Sequence, residues 1–144
     1  MRSSLRKKKW NLPLTYKPKI QGVHDGTICQ TVRRGRAYSR GDLVAFHGWE
    51  EKPYRSAWTD RTPYFRLTEV VLCQIQRDGI KIGQVLHDWN SPFCDDLARR
   101  DGIDPPTGPA LAGVLGKYNE LDGTGFEAQI IRWEQMATHK RRKQ

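Results

Sequence analysis

The sequence predicts an α+β fold, a small β-barrel of about five to six mostly antiparallel strands with two or three short helices covering one opening. Three observations lead there. Short alternating or apolar runs recur at 28–32, 43–46, 64–75, 80–85 and 126–133, separated by turn residues. Two helix signals stand side by side between the last two of these runs. At 144 residues, 37% hydrophobic and 10% aromatic, the chain is long and apolar enough for one core.

Taken in order, residues 1–9 are polar and basic and read as a flexible arm. Residues 10–16 (WNLPLTY) suit an extended segment, with Pro13 limiting any part in a ladder. A short helix or turn is expected over 19–23, and His24-Asp25-Gly26 turns into the first strand at 28–32. Leu43-Val44-Ala45-Phe46 is apolar enough for a buried strand. Residues 47–63 (HGWEEKPYRSAWTDRTP) are too polar and irregular for a strand and are expected to form a long loop. The longest β signal is 64–75, and Asp78-Gly79 marks a hairpin into a returning strand at 80–85. Ser91-Pro92 is an N-cap followed by proline at the first helical position. The helix it opens runs to Arg100 with Phe93 and Leu97 inward, and Gly102 stops it. Thr107 caps a second helix to Tyr118, with Ala110, Leu111, Val114, Leu115 and Tyr118 as an apolar stripe. Gly125 opens the last strand, 126–133. There is no internal repeat, and the domain is expected to span 10–136 between basic ends at 1–9 and 137–144.

Charge is unevenly placed. The net charge is +9, but residues 1–40 carry 11 basic residues against the single acid Asp25. Residues 41–139 are net −5, and residues 140–143 add +4. A body of mild acidity with cations in its first third suits a polyanion partner approached from one side. No apolar run approaches a membrane span, and no apolar signal segment follows the charged start, so a cytoplasmic protein with no membrane partner is expected. Cys29, Cys73 and Cys94 form no C-x-x-C pair and read as reduced core residues. No H-x-x-x-H, C-x-x-C or H-E-x-x-H spacing exists, so no metal and no cofactor is expected.

The chemistry gathers in 26–46 (GTICQTVRRGRAYSRGDLVAF), which reads as strand, basic turn, strand. Thr31 and Arg33 lie two apart on one strand, so a hydroxyl and a guanidinium share a face above a turn holding Arg34, Arg36 and Arg40. In the polar loop, Trp49, Tyr54 and Trp58 alternate with Lys52, Arg55 and Arg61, a composition suited to base stacking with phosphate contact. Gly41-Asp42 is expected to be structural, the glycine for a turn conformation and the aspartate for capping backbone amides.

Gly26, Thr31, Arg33 and Gly41-Asp42 resemble the G-x-K-x-x-T-x-R … G-D pattern of the ASCH domain family, a PUA-like β-barrel group linked to RNA. The pattern's lysine falls on Ile28. The resemblance covers 18–134 and includes the helix before the motif and the closing strand. It implies an RNA-binding module, with a modified nucleoside as one candidate ligand. Thr31 and Arg33 would form the pocket, and Arg34, Arg36 and Arg40 would contact phosphate. Trp49, Tyr54, Arg55 and Trp58 would line the mouth. Some members remove the acyl group from N4-acylated cytidine, and one relative is a single-strand ribonuclease. In a hydrolase of that kind Thr31 would be the nucleophile and Asp101 the carboxylate, with another base, such as His24, in place of the absent lysine. A protein-interaction domain using the 47–58 loop is the reading from a different class.

Overall fold

The computed structural model describes residues 8–14, 17–35, 37–49, 59–118 and 125–134. Eight strands and three helices follow in the order β1 (Lys9–Pro13), α1 (Lys17–Asp25), β2 (Gln30–Arg33), β3 (Leu43–Trp49), β4 (Thr59–Arg61), β5 (Phe65–Ile75), β6 (Gly79–Ile82), β7 (Val85–Asp88), α2 (Pro92–Arg100), α3 (Gly108–Tyr118) and β8 (Phe126–Trp133). The fold is therefore mixed α+β, as its residue pattern predicts. The strands join in one sheet of order β1-β3-β5-β6-β7, with β4 on β3, and β8 paired to both β2 and β5. Among the described residues no pairing closes this sheet into the expected barrel.

Other expectations need correction. Across the basic turn, β2 pairs with β8 while β3 pairs with β1, β4 and β5. Residues 9–13 form a true strand, parallel to β3 from Lys9↔Leu43 to Pro13↔His47. The proline is tolerated because it ends a strand at the sheet margin. The start of the polar loop continues β3 to Trp49, and its end forms β4, registered His47↔Arg61 and Trp49↔Thr59. The returning strand is two short strands around Gly83, whose φ of 62° suits a tight turn.

The chain groups into two compact units. The first comprises 1–29, 39–69 and 132–144. Its core holds Leu12, Ile20, Val23, Val44, Phe46, Phe65 and Leu67. Trp133 packs beside Phe46 (centroids 5.1 Å apart) and Phe65 (6.1 Å). A buried carboxylate organises the polar side of this unit. Asp42 is 3% exposed and accepts from the Lys8 N–H (3.2 Å), the Trp10 indole N–H (2.9 Å) and the Ser39 N–H (3.0 Å). Its own carbonyl accepts from the Leu67 N–H of β5 at 2.8 Å. Gly41 before it has φ 94°, a left-handed conformation that glycine adopts without strain.

The second unit comprises 30–38 and 70–131. Its core joins Cys73, Ile75, Ile80, Trp89, Cys94, Leu97, Leu111, Phe126 and Ile130. Ser91 caps α2 as expected, accepting from the Cys94 N–H at 3.3 Å. Thr107 Oγ1 accepts from the Ala110 N–H at 3.2 Å at the start of α3. Leu97 is buried, but Phe93 is partly exposed and stacks on His87 at 3.8 Å, so only one of the two predicted inward residues enters the core. All three cysteines are free thiols, and burial pushes Cys73 up to about 12.

Replacing Asp42 by alanine would leave three N–H donors without their acceptor. The expected loss is at least about 3 kcal/mol of unfolding free energy, measured by urea denaturation. A loss under about 1 kcal/mol would show that water serves those donors equally well.

Candidate functional site

The described residues among those singled out by sequence form two groups, a largely buried one in the second unit and an exposed one in the first. In the second unit, β2 carries Gln30, Thr31 and Arg33. Gln30 is buried, and its amide donates to the Leu97 carbonyl (3.1 Å) and to Asp101 Oδ1 (3.4 Å). Asp101 is the C-cap of α2 and is 4% exposed. The strand therefore grips the C-terminal end of the helix through a side-chain amide. The Leu97 carbonyl also accepts from the Asp101 N–H at 3.0 Å, so the amide adds a second donor at the helix end.

Arg33 belongs to the same cluster. Its Nε is enclosed by protein. Burial pulls its pKa below the ordinary arginine value, and Tyr38 and then Asp101 pull it back up. Tyr38 is fixed by an amide clamp, donating its N–H to Gln129 Oε1 (3.1 Å) and accepting from Gln129 Nε2 (3.3 Å). Thr31 is 3% exposed. The charge of Asp101 favours the protonated Arg33 guanidinium inside the second unit, an association that 67 intervening positions hide from sequence inspection. Arg34 is exposed, with its guanidinium 4.4 Å from the centre of the Phe126 ring, a cation–π geometry.

The position of the motif's lysine has an apolar use. Ile28 packs on Gly22 of α1 so closely that a Cβ at Gly22 would lie 2.5 Å from Ile28 Cδ1. The Thr27 and Ile28 N–H groups both donate to the Gly22 carbonyl, at 3.0 and 3.1 Å. His24, the substitute base, lies 3.1 Å from Asp60 in the first unit.

The second group is in the first unit. Arg40 is exposed and lines a depression of about 340 Å³ with Gly41, Arg66, Leu67 and Thr68. Arg66 pairs with Glu134 at 3.3 Å, and the Thr68 hydroxyl donates to the Arg132 carbonyl at 3.4 Å. Sequence inspection passed over Arg66 and Thr68 because they alternate with core residues in β5. Their outward parity was legible, but their proximity to Arg40 was not. Nearby on β3, burial and then Arg61 pull His47 below its ordinary pKa. Arg36, Tyr54, Arg55 and Trp58 lie outside the described residues, as does the Trp49 side chain.

Among the described residues no group of three metal-ligating side chains occurs, and no helix is long and apolar enough to cross a membrane. Compared with known proteins, the chain matches no family model, no curated protein and no solved structure.

The buried cluster makes a specific energetic prediction. Arg33→Met should cost about 3 kcal/mol in urea unfolding, because it leaves the Asp101 carboxylate without its cationic neighbour. Asp101→Asn should cost less once Arg33 is already gone, so the double variant loses less than the sum. Strictly additive losses would mean that the two charges do not act on each other.

Proposed function

We propose that this chain is an RNA-binding module of the ASCH/PUA-like kind, anchoring phosphate at the depression formed by Arg40, Arg66 and Thr68. One observation carries the reading. Arg40, Arg66 and Thr68 line one exposed depression beside Gly41. Exposed cations brought together add little to folding stability, because like charges repel and surface pairs are weak. The same arrangement suits a phosphate, whose oxygens take several charge-assisted hydrogen bonds at once.

The charge distribution supports the same conclusion. Arg40 closes a segment with 11 basic residues, and the four cations at 140–143 add attraction without selectivity. In the second unit, the exposed Arg34 would contribute a further polar contact. Binding is favoured over hydrolysis of an N4-acylated cytidine or of RNA because Ile28 cannot take a proton and is committed to packing on Gly22. The protein-interaction reading has its own observation, since Leu72, Val85 and Leu86 are exposed on the second unit. Salt separates the two, because phosphate contacts weaken steeply with ionic strength and apolar contacts do not.

Fluorescence anisotropy of the full chain against labelled single-stranded RNA and duplex DNA, at two salt concentrations, tests the proposal. Micromolar or tighter binding that prefers RNA is expected. Arg40→Gln with Arg66→Gln should weaken it at least about tenfold and flatten the salt dependence by about 0.7 of a log unit per lost phosphate contact. Removing 140–143 should weaken RNA and DNA alike. No salt-dependent binding to either polymer would overturn the reading.

A further inference from the structure

The register of the first unit arranges a second feature beside that depression. Residues directly opposite in paired strands share a face. Lys9 opposes Leu43, and Leu43 opposes Arg66, so Lys9, Leu43 and Arg66 form one row across β1, β3 and β5. Asn11 opposes Ala45 in the next row on the same face. The antiparallel register, continued one residue beyond Val44↔Phe65, sets Tyr64 on the other side of Ala45. Pro13, His47 and Arg61 make the third row. Rows on one face lie about 7 Å apart along a strand.

Tyr64 lies across this face. Its hydroxyl donates to Asn11 Oδ1 at 3.0 Å, so the ring bridges the small side chain of Ala45 between them. It keeps 38% of its surface exposed. The Lys9 ammonium sits 5.3 Å from the ring centre. A tyrosine 38% exposed, hydrogen-bonded across an alanine and with a lysine over its ring, leaves part of its π surface to solvent. What it presents is a π surface ringed by cations. Lys9 and Arg66 occupy the row on one side, Arg61 the row on the other, and Arg40 stands by Arg66. Against them the face carries Glu134, which is held by Arg66. Asp60 is registered with Gly48 and so belongs to the opposite face, where it meets His24.

We propose that this outer face of β1, β3 and β5 is a stacking platform for single-stranded RNA, in which a base lies on Tyr64 and Lys9, Arg66 and Arg40 hold the flanking phosphates; this deepens the RNA-binding reading and rests on it. The long flexible stem of Lys9 lets its ammonium leave the ring for a phosphate when a base takes its place. Single strands are favoured because stacking needs an unpaired base with a free surface. The cations fix the backbone and Tyr64 supplies the selection against duplex.

The test titrates labelled oligo(U), oligo(A) and duplex RNA into the full chain and into Tyr64→Ala, Tyr64→Leu, Tyr64→Phe, Lys9→Gln and the Arg40→Gln/Arg66→Gln pair. Tyr64→Ala should weaken single-strand binding about tenfold or more with the salt slope unchanged. Tyr64→Leu keeps the apolar cover over Ala45 and should lose the same affinity, which separates stacking from folding. Tyr64→Phe should bind within about twofold of the native chain. Lys9→Gln should lower the salt slope by about 0.7. Unchanged binding by Tyr64→Ala and Tyr64→Leu, with affinity still lost in the arginine pair, would overturn the platform and leave the phosphate depression standing. Equal affinity for duplex and single strand would also overturn the platform. No RNA binding by the native chain would overturn both.

Discussion

A single buried carboxylate sets the geometry on which the proposed binding face depends. Asp42 collects the N–H of Lys8 before β1, the indole of Trp10 on β1 and the N–H of Ser39 before the turn, while its carbonyl takes the N–H of Leu67 on β5. Three strands are thereby referenced to one residue at the start of β3. Because side chains alternate with period two, a slip of one residue in either pairing would send Lys9, Tyr64 and Arg66 to the core side. An ionised acceptor with three donors resists such slippage better than apolar packing, which tolerates sliding. The rows of cations and the tyrosine between them follow from this fixed register.

The second unit uses a different device. There an uncharged amide, Gln30, ties β2 to the end of α2 by bonding the Leu97 carbonyl and Asp101 together. Tight backbone approaches do the rest. A Cβ at Gly108 would fall 1.8 Å from the Trp89 carbonyl oxygen, and one at Gly125 would fall 2.3 Å from that of Ile75. Those glycines let α3 and β8 approach backbone that any side chain would hold off. Thr31, Arg33 and Asp101 thus sit in a tightly determined environment, and the threonine's burial suits a fixed polar wall.

Much of this was legible in the sequence, and the reasons are physical. The Ser91-Pro92 start of α2, the Thr107 cap of α3 and the β8 boundaries were readable because caps and alternating strands are local signals. The structural role of Gly41-Asp42 was readable from residue type alone. Pairing was not, because neither the parallel partnership of β1 with β3 nor the joining of β2 to β8 leaves a local trace. β4 was missed because Thr59-Asp60-Arg61 has no apolar side chain, and its strand conformation comes from pairing with β3. Of the candidate residues, Arg33 on its strand and Arg40 on the adjoining basic turn looked like parts of one site. They fall instead in different units, one drawn inward and one exposed.

An amide chemical-shift titration of the isotope-labelled chain with single-stranded RNA, read residue by residue, tests the binding face directly. RNA on the β1–β3–β5 face concentrates the shifts on Lys9, Asn11, Arg40, Ala45, Tyr64, Arg66 and Thr68, with α3 and the β6–β7 hairpin silent. Shifts confined to the hairpin and α2, or an absence of shifts at concentrations well above micromolar, would contradict it.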